Sequence, residues 1–326
     1  MKHLLNLNRI AAGLFFLLAF TGCSDDDDNG TTPPVVETNT IADFVAANDD
    51  YSSLEAALEV TGLTSTLDGT ENYTVFAPDN DAFAAFLADN GFSELSEVPV
   101  ALLTQVLLNH VQMGEIMAAD LSTGYIPSMA TRTGSDDNLS MYISTENGVM
   151  INGVATVTAA NIEVDNGVIH AVDEVIGLPT IVTFALADPT FDTLVAALTR
   201  EDDLTFVSTL MMTDSPAPFT VFAPTNDAFV DLLAELEMNS LGDIPTDVLA
   251  STLSYHVVTE ANVRSGDIMD DMEVSTLADQ MFTINTENGA QITDANGRIA
   301  DIIVVDVQAN NGVIHVVDTV LLPSME

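Results

Sequence analysis

A chain of 326 residues exceeds the usual size of one domain, and 47% hydrophobic residues are enough to fill more than one core. Fifty acidic residues face six basic ones, a net charge of −44. A field of that sign excludes nucleic acid as a partner, because binding a phosphate backbone needs lysine and arginine to release its counterions.

Lys2, His3 and Arg9 open the chain on a basic stretch, and IAAGLFFLLAF (residues 10–20) is an apolar run too short to span a bilayer comfortably. Residues 1–22 therefore read as an export signal. Removing them takes the charge to −46 and leaves four arginines and no lysine. FTGC (residues 20–23), followed by Ser24, resembles a bacterial lipobox, with Phe20 where leucine is usual. The resemblance implies cleavage before Cys23 and lipid attached to it, which makes a membrane the first expected partner. Cys23 is the only cysteine, so no intramolecular disulfide is possible and stability must come from packing.

Residues 23–39 are expected to form an acidic, disordered tether. Asp25 to Asp28 repel one another, and Pro33-Pro34 disfavours helix. SDDDDNGTTPPVVETN would reach roughly 20–25 Å as a flexible coil. The acidic run lacks the glycine turn and closing glutamate of a calcium loop, so it reads as a solvated spacer. Acidic residues directly after a lipidated cysteine also resemble the surface-export signals of some Gram-negative lipoproteins. The expected location is the outer membrane, on the cell surface or the periplasmic face.

The remainder repeats itself. TIADFVAANDDYSSLEAAL (40–58) aligns with TIVTFALADPTFDTLVAAL (180–198), and TVFAPDNDAF (74–83) with TVFAPTNDAF (220–229). NHV (109–111) corresponds to YHV (255–257), and NGVIHAVDEV (166–175) to NGVIHVVDTV (311–320). A period this long is no solenoid unit. It implies two copies of one domain, 40–179 and 180–324, and the short GLPT junction (177–180) should restrict their relative motion.

Within each copy the pattern changes along the chain. Phe44, Val45, Tyr51, Leu54 and Leu58 sit at helical spacing. Val75 and Phe76 form a strand ended by Pro78, after which Asp79 or Thr225 can cap a helix whose first turn holds Asp81 or Asp227. Ala82, Phe83, Phe86 and Leu87 make the buried stripe of that helix, and VPVALLTQVLLNHV (98–111) supplies another. The last third alternates with period two around Asn147-Gly148 and Asn288-Gly289, which read as two-residue hairpins. Helices first and strands last predict an α+β domain, a β-sandwich with helices packed on it.

TVFAPTNDAF, YHV and NGVIHVVDTVLLP, in that order and spacing, resemble the fasciclin-type FAS1 domain across nearly all of 40–324, in two copies. Asn109 departs from the tyrosine that the family, and the second copy at Tyr255, places before the histidine. The resemblance implies adhesion and matrix contact, with a protein or polysaccharide matrix ligand as partner. In some animal relatives an Asp-Ile pair just before the NGVIH strand contributes to receptor binding. The matching positions are Asn161-Ile162 and Asp306-Val307, which are the partner-binding candidates here.

His110, His170, His256 and His315 are the histidines of the two copies, and none has partners at metal-ligand spacing. There is no HExxH, GxSxG, cysteine cluster or glycine-rich phosphate loop. These histidines read as core groups bonded to backbone or carboxylate. Asp173 and Asp318 follow His170 and His315 by three residues, which in a strand is the opposite face, so a His–Asp dyad is not expected. The 13 methionines show no periodic cluster and read as gap fillers. GDIMDD (266–271) reads as a charged loop, and cations are expected to be held diffusely, with no specific metal or cofactor. The chain thus reads as a lipid-anchored, non-enzymatic binding module for adhesion or matrix organisation. The alternative is a glycan-binding component of an uptake or degradation system, which the absence of tryptophan disfavours.

Overall fold

The computed structural model describes residues 39–201, 205–287 and 289–324. The expected export signal, Cys23 and Asn288 lie outside the described residues. The first copy opens with three short helices, α1 (Ile41–Ala47), α2 (Ser52–Thr61) and α3 (Thr64–Leu67). A reciprocal box starts α1: Thr40 Oγ1 accepts from Asp43 N, and the Asp43 carboxylate accepts from Thr40 N. Strand β1 (Tyr73–Pro78) ends at its proline, and Asp79 Oδ1 accepts from Ala82 N at 2.9 Å to start α4 (Asn80–Asp89). The expected cap is therefore present. Helix α5 (Val100–Leu108) follows Pro99. Six strands complete the copy: β2 (Val111–Met113), β3 (Gly124–Thr131), β4 (Asn138–Ser144), β5 (Met150–Ile151), β6 (Ala155–Val164) and β7 (Gly167–Val172).

The second copy repeats this order. Helices α6 (Ile181–Ala187), α7 (Asp192–Leu198) and α8 (Phe206–Leu210) precede β8 (Phe219–Pro224), then α9 (Asn226–Glu235), capped by Thr225, and α10 (Thr246–Tyr255). The strands are β9 (Val257–Val258), β10 (Met272–Ser275), β11 (Met281–Asn285), β12 (Gln291–Thr293), β13 (Ile299–Ala309) and β14 (Gly312–Val317).

Each copy builds one seven-stranded sheet, in the order β2-β1-β7-β6-β5-β4-β3 and its counterpart β9-β8-β14-β13-β12-β11-β10. The pairs β1–β7 and β8–β14 are parallel, and the other neighbours are antiparallel. The sandwich is thus one sheet folded over. Register shifts between Val157 and Ile162 bend β6, and shifts between Ile302 and Val307 bend β13. In the second copy the two edges meet, with Leu277 N donating to Val257 O at 2.7 Å. Alternation along β1 then feeds two cores. Phe76 joins Met141, Ile143, Ile151 and Val172 inside the fold of the sheet, while Val75 and Ala77 pack under the helices with Leu54, Phe83 and Leu103.

Two local expectations are corrected. Neither Asn147-Gly148 nor Asn288-Gly289 forms a two-residue hairpin: Ser144 pairs with Met150 and Asn285 with Gln291, so each connection is longer, with Gly148 at φ 100° and Gly289 at φ 101°. The tight hairpins lie instead at Asp165-Asn166 and Asn310-Asn311, where Val164 pairs with Gly167 and Ala309 with Gly312. The asparagine of each NG pair is a structural clamp. Asn166 Oδ1 accepts from Ile41 N, and its Nδ2 donates to Leu67 O and Gly69 O; Asn311 does the same for Ile181, Leu210 and Met212. One side chain therefore ties the closing strand to the start of the first helix and the end of the third.

Residues 39–324 pack as one compact unit. Tyr125 and Tyr142 of the first copy belong to the hydrophobic core of the second. Tyr125 meets Phe184 edge-on at 5.4 Å between ring centres, and its hydroxyl donates to Asp188 at 2.9 Å. Across β4 and β13, Gln308 N donates to Ser140 Oγ at 3.0 Å. The short junction is accordingly reinforced by side-chain packing.

Candidate functional site

Both ring nitrogens of each of the four histidines carry backbone bonds. His110 and His256 end their helices with Nδ1 at 2.7 Å from Val106 O and Thr252 O, and Nε2 accepts from Ile176 N and Leu321 N. Burial pulls both down to a pKa of about 4. A neutral ring with its proton on Nδ1 satisfies all four groups. His170 and His315 use the other tautomer: Nε2 donates to Ile116 O or Val263 O, and Nδ1 faces the N–H of Asn161 or Asp306. Burial lowers their pKa as well. These rings are core fasteners, as their sequence setting suggests. Asp173 and Asp318 likewise bind backbone, accepting from Thr156 N at 2.6 Å and Asp301 N at 2.8 Å.

The partner-binding candidates lie on the bulges. Asn161 and Asp306 sit at φ 61° and 60°, the left-handed conformation that lets β6 and β13 turn. Asn161 Oδ1 accepts from Ala118 N, and Asp306 Oδ1 from Ser265 N, both at 2.8 Å. Ile162 packs partly into the helix-side core, and Val307 is 2% exposed. Each pair thus holds the preceding loop with its first residue and fills a core with its second. Burial alone would raise the Asp306 pKa, but bonds from Ser265 and the nearby Arg264 outweigh it and hold the carboxyl below its usual range.

What the bulges expose differs between copies. The three residues before Asn161 are Thr158, Ala159 and Ala160; before Asp306 they are Ile303, Val304 and Val305, exposed by 53%, 40% and 41%. Three consecutive exposed aliphatic side chains form an apolar strip beside Asp306. Sequence reasoning passed over it because a Val/Ile run in a strand normally signals burial.

The strip borders the junction of the copies, where the arginines are spent internally. Arg264 Nη1 reaches Asp137 of the first copy at 2.6 Å, and its Nη2 lies 3.6 Å from Asp306. Arg132 also faces Asp137 at 3.8 Å. Hydrogen bonding from Ser135, together with Arg264, holds Asp137 below the ordinary carboxylate range. Arg200 pairs with Glu201, and Arg298 with Glu235 and Asp294. In so acidic a chain the scarcity of arginine was itself the signal that each would be paired.

Between the copies runs a cleft of about 690 Å³, walled by α4 and α5 on one side and by Thr183, Asp214 and Asn310 on the other. Leu102, Thr133, Leu178 and Asn310 also line a second hollow of about 970 Å³ along α5 and the 131–136 loop. Asn310 spans the junction, its Oδ1 accepting from Thr133 N and Oγ1. Among the described residues no group of three or more His, Cys, Asp or Glu side chains is arranged to hold a metal ion. In GDIMDD, Asp267 accepts from Arg264 N and Asp270 from Thr286 N, which ties that loop to its neighbours. Cys23, the expected lipid attachment point, lies outside the described residues.

The fasciclin-domain profile matches residues 49–179 and again 189–323. The chain belongs to the fasciclin family. Its two fasciclin domains are similar to a FAS1 domain pair from the insect cell adhesion molecule fasciclin I, with TM-score 0.51 and 19% identity over 84% of this chain and 97% of that one. That likeness concerns the fold. In sequence, the chain is 29% identical over 295 residues to the transforming growth factor-beta-induced protein ig-h3 of Sus scrofa, covering 83% of this chain and 40% of the relative. It is 37% identical over 149 residues to an uncharacterised Synechocystis protein, covering 44% of this chain and 98% of that protein. Human periostin matches at 27% over 203 residues, 59% of this chain and 21% of periostin. The chain spans about two-fifths of the length of the ig-h3 proteins it matches.

Proposed function

We propose that this chain is an exported binding module, held to a membrane by lipid on Cys23, that acts in adhesion or matrix organisation and not in catalysis. Membership of an adhesion-domain family supports the general reading. The observation that carries it is the Ile303–Val305 strip, because an exposed aliphatic run on an otherwise acidic surface marks a contact site. Asp306 and Val307 contribute by holding the bulge that displays it, and Asn161 and Ile162 hold a bulge that displays only small residues. Among the described residues the histidines have no free nitrogen for proton transfer or metal binding, which supports a non-catalytic role.

The test uses cells carrying the full-length protein on an extracellular-matrix coating. Changing Ile303, Val304 and Val305 together to serine should reduce attachment at least several-fold while leaving the melting temperature nearly unchanged. Cys23→Ala should abolish lipid labelling and release the protein from the membrane. Undiminished attachment by the triple variant would remove the strip from the binding surface, and persistent lipid label on Cys23→Ala would refute the anchor.

A further inference from the structure

We infer that the cleft between the two fasciclin domains binds a lysine-rich polypeptide segment, which names the partner chemistry of the adhesive module proposed above and rests on that reading. Asp89 and Glu174 of the first copy and Asp214 of the second line the cleft, and Asp136 lines the adjoining hollow. All four are exposed, and none of their carboxylates makes a hydrogen bond or ion pair among the described residues. The four arginines of the two copies are already paired: Arg132 lines the hollow near Asp136 but faces Asp137, and no other cation among the described residues lines either hollow.

A second observation points to an occupant. Asn152 lines the same cleft, is 3% exposed, and leaves its Nδ2 without an acceptor, while its Oδ1 takes the N–H of Tyr142. A buried amide donor left unpaired is costly unless something supplies the acceptor. An extended peptide that drew the Asn152 amide toward the cleft would offer a carbonyl to that donor, and it offers ammonium groups to the carboxylates. Leu102 and Val154, both exposed, present apolar surface for the lysine stems. The volume of about 690 Å³ is that of a formed binding cleft, open enough for a chain to pass. A neutral glycan is a poorer fit, because Phe86 is the only aromatic ring lining the cleft among the described residues and the chain has no tryptophan to stack on a sugar. An anionic polymer meets only repulsion.

The probe is an octalysine peptide titrated calorimetrically into the full-length protein, with a neutral β-glucan oligosaccharide as the second ligand. The combined variant Asp89→Asn, Glu174→Gln, Asp214→Asn should weaken octalysine binding about tenfold, as expected for three ion pairs at a partly open surface. Binding should also fall as salt is raised from low ionic strength. A control of equal charge, Glu71→Gln, Glu163→Gln, Glu273→Gln, removes exposed carboxylates that line neither hollow and should stay within about twofold of the wild type. Equal losses in the two variants would mean that the field of the whole molecule, not the cleft, attracts the peptide, and would overturn the proposal. Glucan binding that the cleft variant abolishes, with no octalysine binding, would overturn it in favour of a sugar. If octalysine is ignored while cells carrying the protein still attach to matrix, the partner chemistry fails and the adhesion reading stands.

Discussion

The two fasciclin domains share almost every contact that closes the sheet and differ where the chain faces outward or meets its copy. Position 109 shows how. In the second copy Tyr255 sends its hydroxyl to Met281 O at 2.7 Å and accepts from Ala295 N, fastening the strands beyond β9. Asn109 is too short for that reach, and its Nδ2 turns to Ile176 O and Gly177 O, fastening the junction. The same helix end thus secures the sheet in one domain and the connection in the other. Strand β3 is the second contrast: it runs from Gly124 to Thr131 and carries Tyr125 into the neighbouring core, whereas β10 covers only Met272–Ser275. Repeated residues maintain the fold, and divergent ones make the first domain a platform for the second.

The equivalence of the shared contacts can be broken most severely at the closing glycines. A Cβ on Gly167 would stand 1.9 Å from Tyr73 O, and one on Gly312 would stand 2.2 Å from Phe219 O. Both clashes are with backbone in the central parallel pair. Gly167→Ala and Gly312→Ala should each cost more than about 4 kcal/mol, measured by denaturant unfolding or seen as loss of soluble protein. A mild effect in one copy alone would show that the two junctions are not built alike.

Acid tests the next shared feature. His110 and His256 titrate near 4 when folded, against about 6.5 in an unfolded chain. The unfolded chain therefore takes up these protons first, and stability, complete above about pH 6.5, is lost as pH falls toward 4. The expected loss is about 3 kcal/mol for each ring. Replacing either histidine by glutamine should flatten this slope, and thermal melts between pH 7 and 4 will show whether both copies contribute equally. The smallest effect concerns a contact without counterpart in the other copy. Tyr125→Phe removes one donor from the buried Asp188, and the chain should lose about 1–2 kcal/mol by the same unfolding measurement. No change would reduce the hydroxyl bridge to a bystander of the aromatic packing.

Much of this was legible before the fold was known, because local rules govern it. TVFAPTNDAF carries its own strand, proline stop, capping Thr225 and first-turn Asp227, and the chain obeys them. The core histidines were legible for the same reason: no partner stood at ligand spacing. Non-local choices were not. Nothing in STGYIPS marks Tyr125 as a residue that leaves its own domain, since its partners Phe184 and Asp188 are distant in sequence. Asn147-Gly148 has the composition of a tight turn, yet the register of β4 with β5 is set by Ile143 and Ile151 pairing in the core, and the loop lengthens to fit. The cleft was invisible because its walls come from both copies.

The placement of β7 and β14 governs when each domain can come into being. The last strand of a copy lies between its first strand and β6 or β13, so the centre of the sheet is vacant until the end of the copy has been synthesised. Early segments can form helices and hairpins, but β1 waits for a parallel neighbour almost a whole domain away, and such distant pairing slows folding. The first domain receives that strand before most of the second exists, so it can close without competition from a near-identical sequence. A nascent chain stopped between β13 and β14 would therefore hold one finished domain and one with an unpaired β8, a species primed to pair with the wrong strand.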